Sequence, residues 1–219
     1  MPKWCATNYA IRGNQDELSD LCRRLNTMQN QPNGFGKYWM GNLLVDFGME
    51  YDHVVSGECK ILCRGTFSPD PDEQACFFGP DIDTEEKFEI SYDGLLHCST
   101  VTAWGRSDSM EDFLKEKYPS LEFFFFSTDE FGNFHEIYDP EDVGFFNYFY
   151  LDANGESTYY YKNGLKQFVE DFRRECPGLN VPEDIESLTS DAFAQEFLKW
   201  REEDENRKFT YFYVATETN

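Results

Sequence analysis

The sequence predicts an α+β fold. Its main sheet is antiparallel and built in the order βαββαβ with helices on one face, and a hairpin, two helices and a strand extend it at the C-terminal side. Three observations carry this reading. Two segments repeat a strand–glycine–capped-helix plan, at Gly13 and at Gly105. Two pairs of apolar runs meet at Asp93-Gly94 and at Asn154-Gly155, dipeptides that favour the type I′ turn of a two-residue hairpin. Finally, 22 Phe, 13 Tyr and 4 Trp stand in a chain of 219 residues whose net charge is −23. A chain so acidic stays disordered when large apolar groups are lacking. With these rings it folds and carries its acid outside, and the mean hydropathy of −0.64 reflects the acid content.

The elements follow in order. Trp4 to Arg12 reads as a strand ending at Gly13. Asn14 caps the next helix, with Glu17 at capping-box spacing, and Leu18, Leu21, Cys22, Leu25 and Met28 share one face. A loop holds Pro32 and Gly34, and a short amphipathic helix spans about Tyr38 to Phe47 with Trp39, Leu43, Leu44 and Phe47 inward. Cys59 to Phe67 reads as a strand and Ser68 to Glu86 as an acidic loop. Phe88 to Tyr92 and Leu95 to Trp104 form the first hairpin. Asp108 and Glu111 repeat the capping-box spacing, Met110, Phe113, Leu114 and Tyr118 give a helix face, and Pro119 stops it. Leu121 to Ser127 and Asn133 to Tyr138 are strands. The element order up to this point suits a ferredoxin-like βαββαβ layer with one inserted helix.

From Val143 the composition shifts toward Tyr and Phe. Phe145 to Leu151 and Glu156 to Tyr161 form the second hairpin, Leu165 to Cys176 a helix, Ser190 the cap of a last helix, and Phe209 to Val214 a final strand. The predicted division is 1–140 for the ferredoxin-like part and 141–219 for the C-terminal part, with a single continuous domain as the alternative.

Charge excludes more than it suggests. Nucleic acid binding requires Lys and Arg to displace counterions from phosphate, so direct nucleic acid contact is disfavoured, as is an anionic membrane surface. A basic protein surface is the favoured partner, with plain solubility as the alternative role of the charge. Seven Cys at irregular spacing, no apolar leader and no long apolar run point to reduced thiols in a cytoplasm.

Candidate chemistry is sparse. Cys59, Cys63, Cys76 and Cys98, beside His97, offer soft zinc ligands, but the second tight pair of a structural zinc site is missing, and buried apolar thiols are the competing account. Asp70, Asp72 and Glu73, then Asp81, Asp83, Glu85 and Glu86, offer oxygen ligands to Ca²⁺ without the EF-hand pattern. His53, His97 and His135 lie in separate segments, and no nucleophile elbow, P-loop or dinucleotide fingerprint occurs. No cofactor is called for. Trp4, Trp39 and Trp104 are candidate interface aromatics, with core packing as the alternative. The Phe123–Phe126 run is core if both sheet faces are covered and a docking surface if one is not.

Trp4-Cys5-Ala6-Thr7-Asn8 with Ile11 and Gly13, Phe35-Gly36-Lys37-Tyr38-Trp39-Met40-Gly41-Asn42, Cys63-Arg64-Gly65, Thr102-Ala103-Trp104 and Glu130-Phe131-Gly132 together resemble segments of the YubB-like and Api-like proteins of phages, plasmids and bacteria. The chain departs from that pattern at Gly105-Arg106-Ser107, where the family usually carries Ser-Pro-Pro. The resemblance covers about the first two-thirds of the chain and implies a ferredoxin-like domain in a mobile-element context, without an established activity to carry over. Trp39, Trp104, Arg106 and Glu130 form the candidate partner-binding set.

The functional expectation is therefore a non-catalytic binding or accessory protein whose acidic face engages a basic protein, DNA mimicry being one form of it. The alternative is a carboxylate-based metal-dependent hydrolase or a small-molecule-binding protein.

Overall fold

The first nine-residue strand, β1 (Trp4–Arg12), is the centre around which the N-terminal half assembles. It pairs antiparallel with β3 (Leu96–Ala103) on one side and with β4 (Glu122–Asp129) on the other, and β3 pairs antiparallel with the short β2 (Gly65–Ser68). The strand order is β2-β3-β1-β4. In this computed structural model, residues 3–31, 35–61, 63–69, 87–130 and 135–218 are described. The chain divides into two units, Met1–Phe134 and His135–Asn219, and is of mixed α and β structure. Among the described residues no helix is long and apolar enough to cross a membrane.

In the first unit the helices are α1 (Gln15–Thr27), α2 (Met40–Asp46), α3 (Tyr51–Ser56) and α4 (Asp108–Lys117). Alternation along the strands turns Tyr9, Ile11, Leu96, Cys98, Phe123 and Phe125 toward Leu18, Leu21 and Leu25 of α1, Leu43 and Leu44 of α2, and Phe113 and Leu114 of α4 in one core. The opposite face is also closed at Ala10, Val101 and Phe124, so Phe123, Phe124 and Phe125 are all core residues.

Local chemistry departs from the sequence expectation at several points. Asn14 does cap α1, its side chain accepting from the Asp16 amide at 2.8 Å. Glu17 does not complete a capping box. It accepts from the amide and hydroxyl of Ser120 at 3.0 and 2.7 Å, and the Ser120 hydroxyl oxygen accepts the Asn14 amide at 3.0 Å. The box is thus relayed through a residue that precedes β4. At α4 the cap position is Ser107, and Glu111 turns to Arg106 and Lys115 instead of the backbone. The expected strand from Cys59 is reduced to β2, because α3 ends in a left-handed Gly57 and Lys60 also has a positive φ of 60°, which takes the chain out of extended geometry. The Asp93-Gly94 hairpin is a single bridge between Ile90 and Leu96. Type I′ needs two residues at positive φ, but only Gly94 is left-handed there; its amide bonds to Ser91 at 3.0 Å, which makes Tyr92-Asp93 the turn centre and Gly94 the bulge residue. Residues 70–86, with the acidic loop and Cys76, lie outside the described residues.

The second unit opens with β5 (His135–Tyr138), continues through β6 (Phe149–Ala153), β7 (Glu156–Tyr160), α5 (Leu165–Glu175), α6 (Ile185–Leu188), α7 (Asp191–Glu202) and β8 (Tyr211–Val214), and ends with β9 (Thr216–Glu217), which pairs parallel with β5. Asn154 and Gly155 stand at φ 59° and 83° between Ala153 and its partner Glu156, the type I′ turn that the dipeptide predicts. Ser190 caps α7 through the Phe193 amide at 3.2 Å. The sheet order is β7-β6-β8. Phe168 and Phe172 of α5 and Phe193 and Phe197 of α7 pack on one face of it, where Phe172 and Phe197 lie 4.7 and 4.9 Å from the Phe212 ring. Burying each such ring stabilises by about 1.5–3 kcal/mol.

Candidate functional site

Three of the four candidate partner-binding residues gather at one end of the first unit's sheet. Trp104 follows β3, and its amide bonds to the Lys3 carbonyl at 2.6 Å. Glu130 follows β4, and its amide bonds to the Trp4 carbonyl at 3.1 Å. Trp104 is 63% exposed and holds a φ of 76°. A left-handed backbone costs a non-glycine residue about 1–2 kcal/mol, so this ring is presented to solvent at an energetic cost.

Arg106, next to it, turns inward. Its guanidinium lies 3.8 Å over the Phe125 ring, pairs with Glu111, and reaches Asp108 at 2.7 Å. Glu111 is 8% exposed on its side chain and also takes Lys115 at 2.7 Å. The Tyr9 hydroxyl joins this group. Burial, then the charge of Glu111, raises its pKa well above the usual phenol range against the opposing effect of Arg106. Beside Tyr9 and Glu111 lies a cavity of about 20 Å³, also lined by Thr100, Ser107 and Leu114. The Thr100 hydroxyl is buried there and takes no hydrogen bond among the described residues. A space of this size holds one water molecule. The network ties β1, β4 and α4 together.

Trp39 is not at a surface. It is 7% exposed at the cap of α2, its indole N–H donates to the Cys63 carbonyl at 2.7 Å, and Phe35 packs 4.7 Å from its ring. Its role here is to hold the segment before β2 against α2.

Of the candidate zinc ligands, Cys59 and Cys63 lie together, Cys98 does not join them, and Cys76 lies outside the described residues. Cys98 is buried in the sheet core opposite Tyr9. Cys59 and Cys63 do not share a strand face. Both thiols donate to the Ile61 carbonyl, at 3.7 and 3.6 Å. Burial, then the proximity of Cys59, pushes the Cys63 thiol up to about 12. Among the described residues no group of three or more His, Cys, Asp or Glu stands together as metal ligands do.

The second unit holds a feature that reading the strands one at a time misses. The outer face of the β7-β6-β8 sheet carries two rows set by register. Tyr159, Tyr150 and Tyr213 form one row, and Ser157, Asp152 and Tyr211 form the other. Ring centroids along the first row are 5.0 and 5.3 Å apart, and His135 stacks on Tyr213 at 3.8 Å. Asp152 Oδ2 accepts from the Tyr150 hydroxyl at 3.1 Å and from Ser157 at 2.8 Å. The signal in the sequence was tyrosine at 150, 159, 211 and 213; only strand pairing brings these four onto one face.

Searches of family models, curated proteins and solved structures return no match to this chain.

Proposed function

We propose that this protein is a non-catalytic binding protein of a mobile element that engages a basic protein partner through an acidic surface. The observation that carries the reading is the charge disposition in His135–Asn219. That unit holds 19 acidic against 8 basic side chains, a net −11 in 85 residues. Six of its eight cations are matched internally, among them Lys162 with Glu217 at 2.9 Å, Arg173 with Glu183 at 3.3 Å, Arg174 with Asp171 at 2.6 Å and Lys208 with Glu205 at 3.5 Å. Glu202, Glu203, Asp204 and Glu205 stand exposed in a row at the end of α7. Such an excess attracts a cationic surface and repels phosphate.

We further propose that the first unit is a ferredoxin-like domain related to the YubB-like and Api-like proteins. The order β4-β1-β3-β2 with all neighbours antiparallel supports the fold, and the segments quoted above support the relationship.

The test is capture on immobilised protein from the lysate of a host cell, repeated between about 0.1 M and 1 M salt, over which the screening length falls from ~10 Å to ~3 Å. A saturable basic protein held at the low end and released at the high end supports the reading. Retention of no basic protein at low salt refutes it. Competition by duplex DNA for the captured protein distinguishes mimicry of DNA from other acidic recognition.

A further inference from the structure

We propose that the outer face of the β7-β6-β8 sheet is the docking surface for an arginine-bearing segment of a basic protein, with Asp152 Oδ1 receiving the guanidinium and Tyr159 and Tyr211 flanking it. The inference rests on the function proposed above and gives it a place on the molecule.

Strand alternation makes this face. On β6, Phe149, Leu151 and Ala153 are buried, while Tyr150 and Asp152 project to the other side. Their cross-strand partners are fixed by register: Tyr159 and Tyr213 opposite Tyr150, Ser157 and Tyr211 opposite Asp152. Tyr159 and Tyr211 remain 54% and 50% exposed. Tyr150 and Tyr213 are partly buried, Tyr213 beneath the His135 ring, so the open part of this face is the one that carries Tyr159, Asp152 and Tyr211; tyrosine, apolar in body and polar at its tip, is enriched where one protein meets another.

Charge complementarity selects the occupant. Asp152 is oriented by two hydrogen bonds, both on Oδ2, and its Oδ1 accepts none among the described residues. It is an aimed acceptor in a unit of net charge −11. A guanidinium fits this setting on two counts: it donates to a carboxylate and it stacks on aromatic faces. The unit already shows the second contact internally, since the Arg201 guanidinium lies 5.2 Å from the centre of the Tyr211 ring. A polyanion is repelled by the same carboxylate, and a neutral ligand gains nothing from the surrounding field.

The test uses the full chain and a nine-residue arginine peptide at low salt. Affinity is measured by calorimetry for the native protein, Asp152→Asn, Tyr159→Ala and the charge-matched control Glu186→Gln, an exposed acid on α6. Tyrosine ring signals are followed by NMR, and melting curves confirm that each variant is folded. Asp152→Asn and Tyr159→Ala should each weaken binding about threefold to fivefold, as for loss of one exposed ion pair or one cation–π contact. Glu186→Gln should leave it nearly unchanged. Equal affinity in all three variants overturns this docking face while leaving the acidic-partner reading intact. Absence of peptide binding by the native protein overturns both. Movement of the same ring signals by a neutral hexasaccharide, with no response to the peptide, overturns the cationic occupant.

Discussion

Replacing Glu111 by Ala should destabilise the first unit by about 3 kcal/mol while leaving its affinity for a partner unchanged. Glu111 and Arg106 are 8% and 16% exposed on their side chains, so this is a largely desolvated pair. Breaking a buried pair by removing one member costs about 3–5 kcal/mol because the other charge is left behind. Two features adjust that range. Asp108 still reaches Arg106 at 2.7 Å but is 69% exposed, so it compensates only in part and brings the loss to about 2–3 kcal/mol. Lys115, 47% exposed, adds a screened contact of about 0.3–0.5 kcal/mol. The total of about 3 kcal/mol lowers the melting temperature by roughly 6–12 °C in a chain of this size. Urea unfolding followed by circular dichroism measures it. The paired replacement Glu111→Leu with Arg106→Met removes both charges and should recover most of the loss, since apolar substitutes for a buried pair are often neutral or better. Two results refute the reasoning: a loss under about 1 kcal/mol for Glu111→Ala, or strict additivity in the double variant. The same experiment separates two roles for Arg106, because a partner-contacting arginine changes affinity and an internal one changes stability.

Three further outcomes are expected. Asp20 should give a pH-dependent contribution: burial raises its pKa, but hydrogen bonds from Tyr118, Arg23 and Arg24 outweigh this and hold it well below the usual carboxylate range. A depressed folded-state value stabilises above the unfolded pKa of about 3.9 and is lost as the pH falls below it; the gap in melting temperature between native protein and Asp20→Asn should therefore narrow from pH 7 to pH 2.5, and a constant gap would contradict the assignment. Burial pushes the thiols of Cys63, Cys98 and Cys176 up to about 12, so intact-mass analysis after iodoacetamide at pH 8 should find these three unmodified in folded protein and modified in urea; native labelling at the rate of a free peptide would argue otherwise. Gly155→Ala should cost about 1 kcal/mol in a denaturant melt through the backbone alone, since φ is 83° and nothing lies within 4 Å of an added Cβ.

Local signals in the sequence reported local structure. The Asn14 and Ser190 caps, the Asn154-Gly155 turn and the helix faces around Leu18 and Phe193 all stand where side-chain type and period put them. Failures came where a distant residue outcompeted a near one. Ser120 draws Glu17 away from its own helix start, and Arg106 draws Glu111. Helix α3 was missed because only Val54 of its six residues is buried, which leaves no periodic stripe. Among the candidate residues, Trp104 and Glu130 reach one sheet end, while Arg106 and Trp39 are committed to internal contacts. A tryptophan in sequence carries no mark of which side of a sheet end it will occupy. The tyrosine row could not be assembled from the sequence for a related reason: it needs three strands in register, and register is a property of pairing.

The position of β1 has a consequence for synthesis. It leaves the ribosome before either of its neighbours, since the residue facing Ile11 on β3 is Leu96 and that facing it on β4 is Phe123. At translation rates of roughly 5–20 residues per second, its first neighbour follows on the order of ten seconds later. Throughout that interval Tyr9, Ala10 and Ile11 wait with both ladder edges open. The nascent chain therefore depends on α1 closing over this strand, or on a chaperone, to keep it from pairing with the wrong polypeptide.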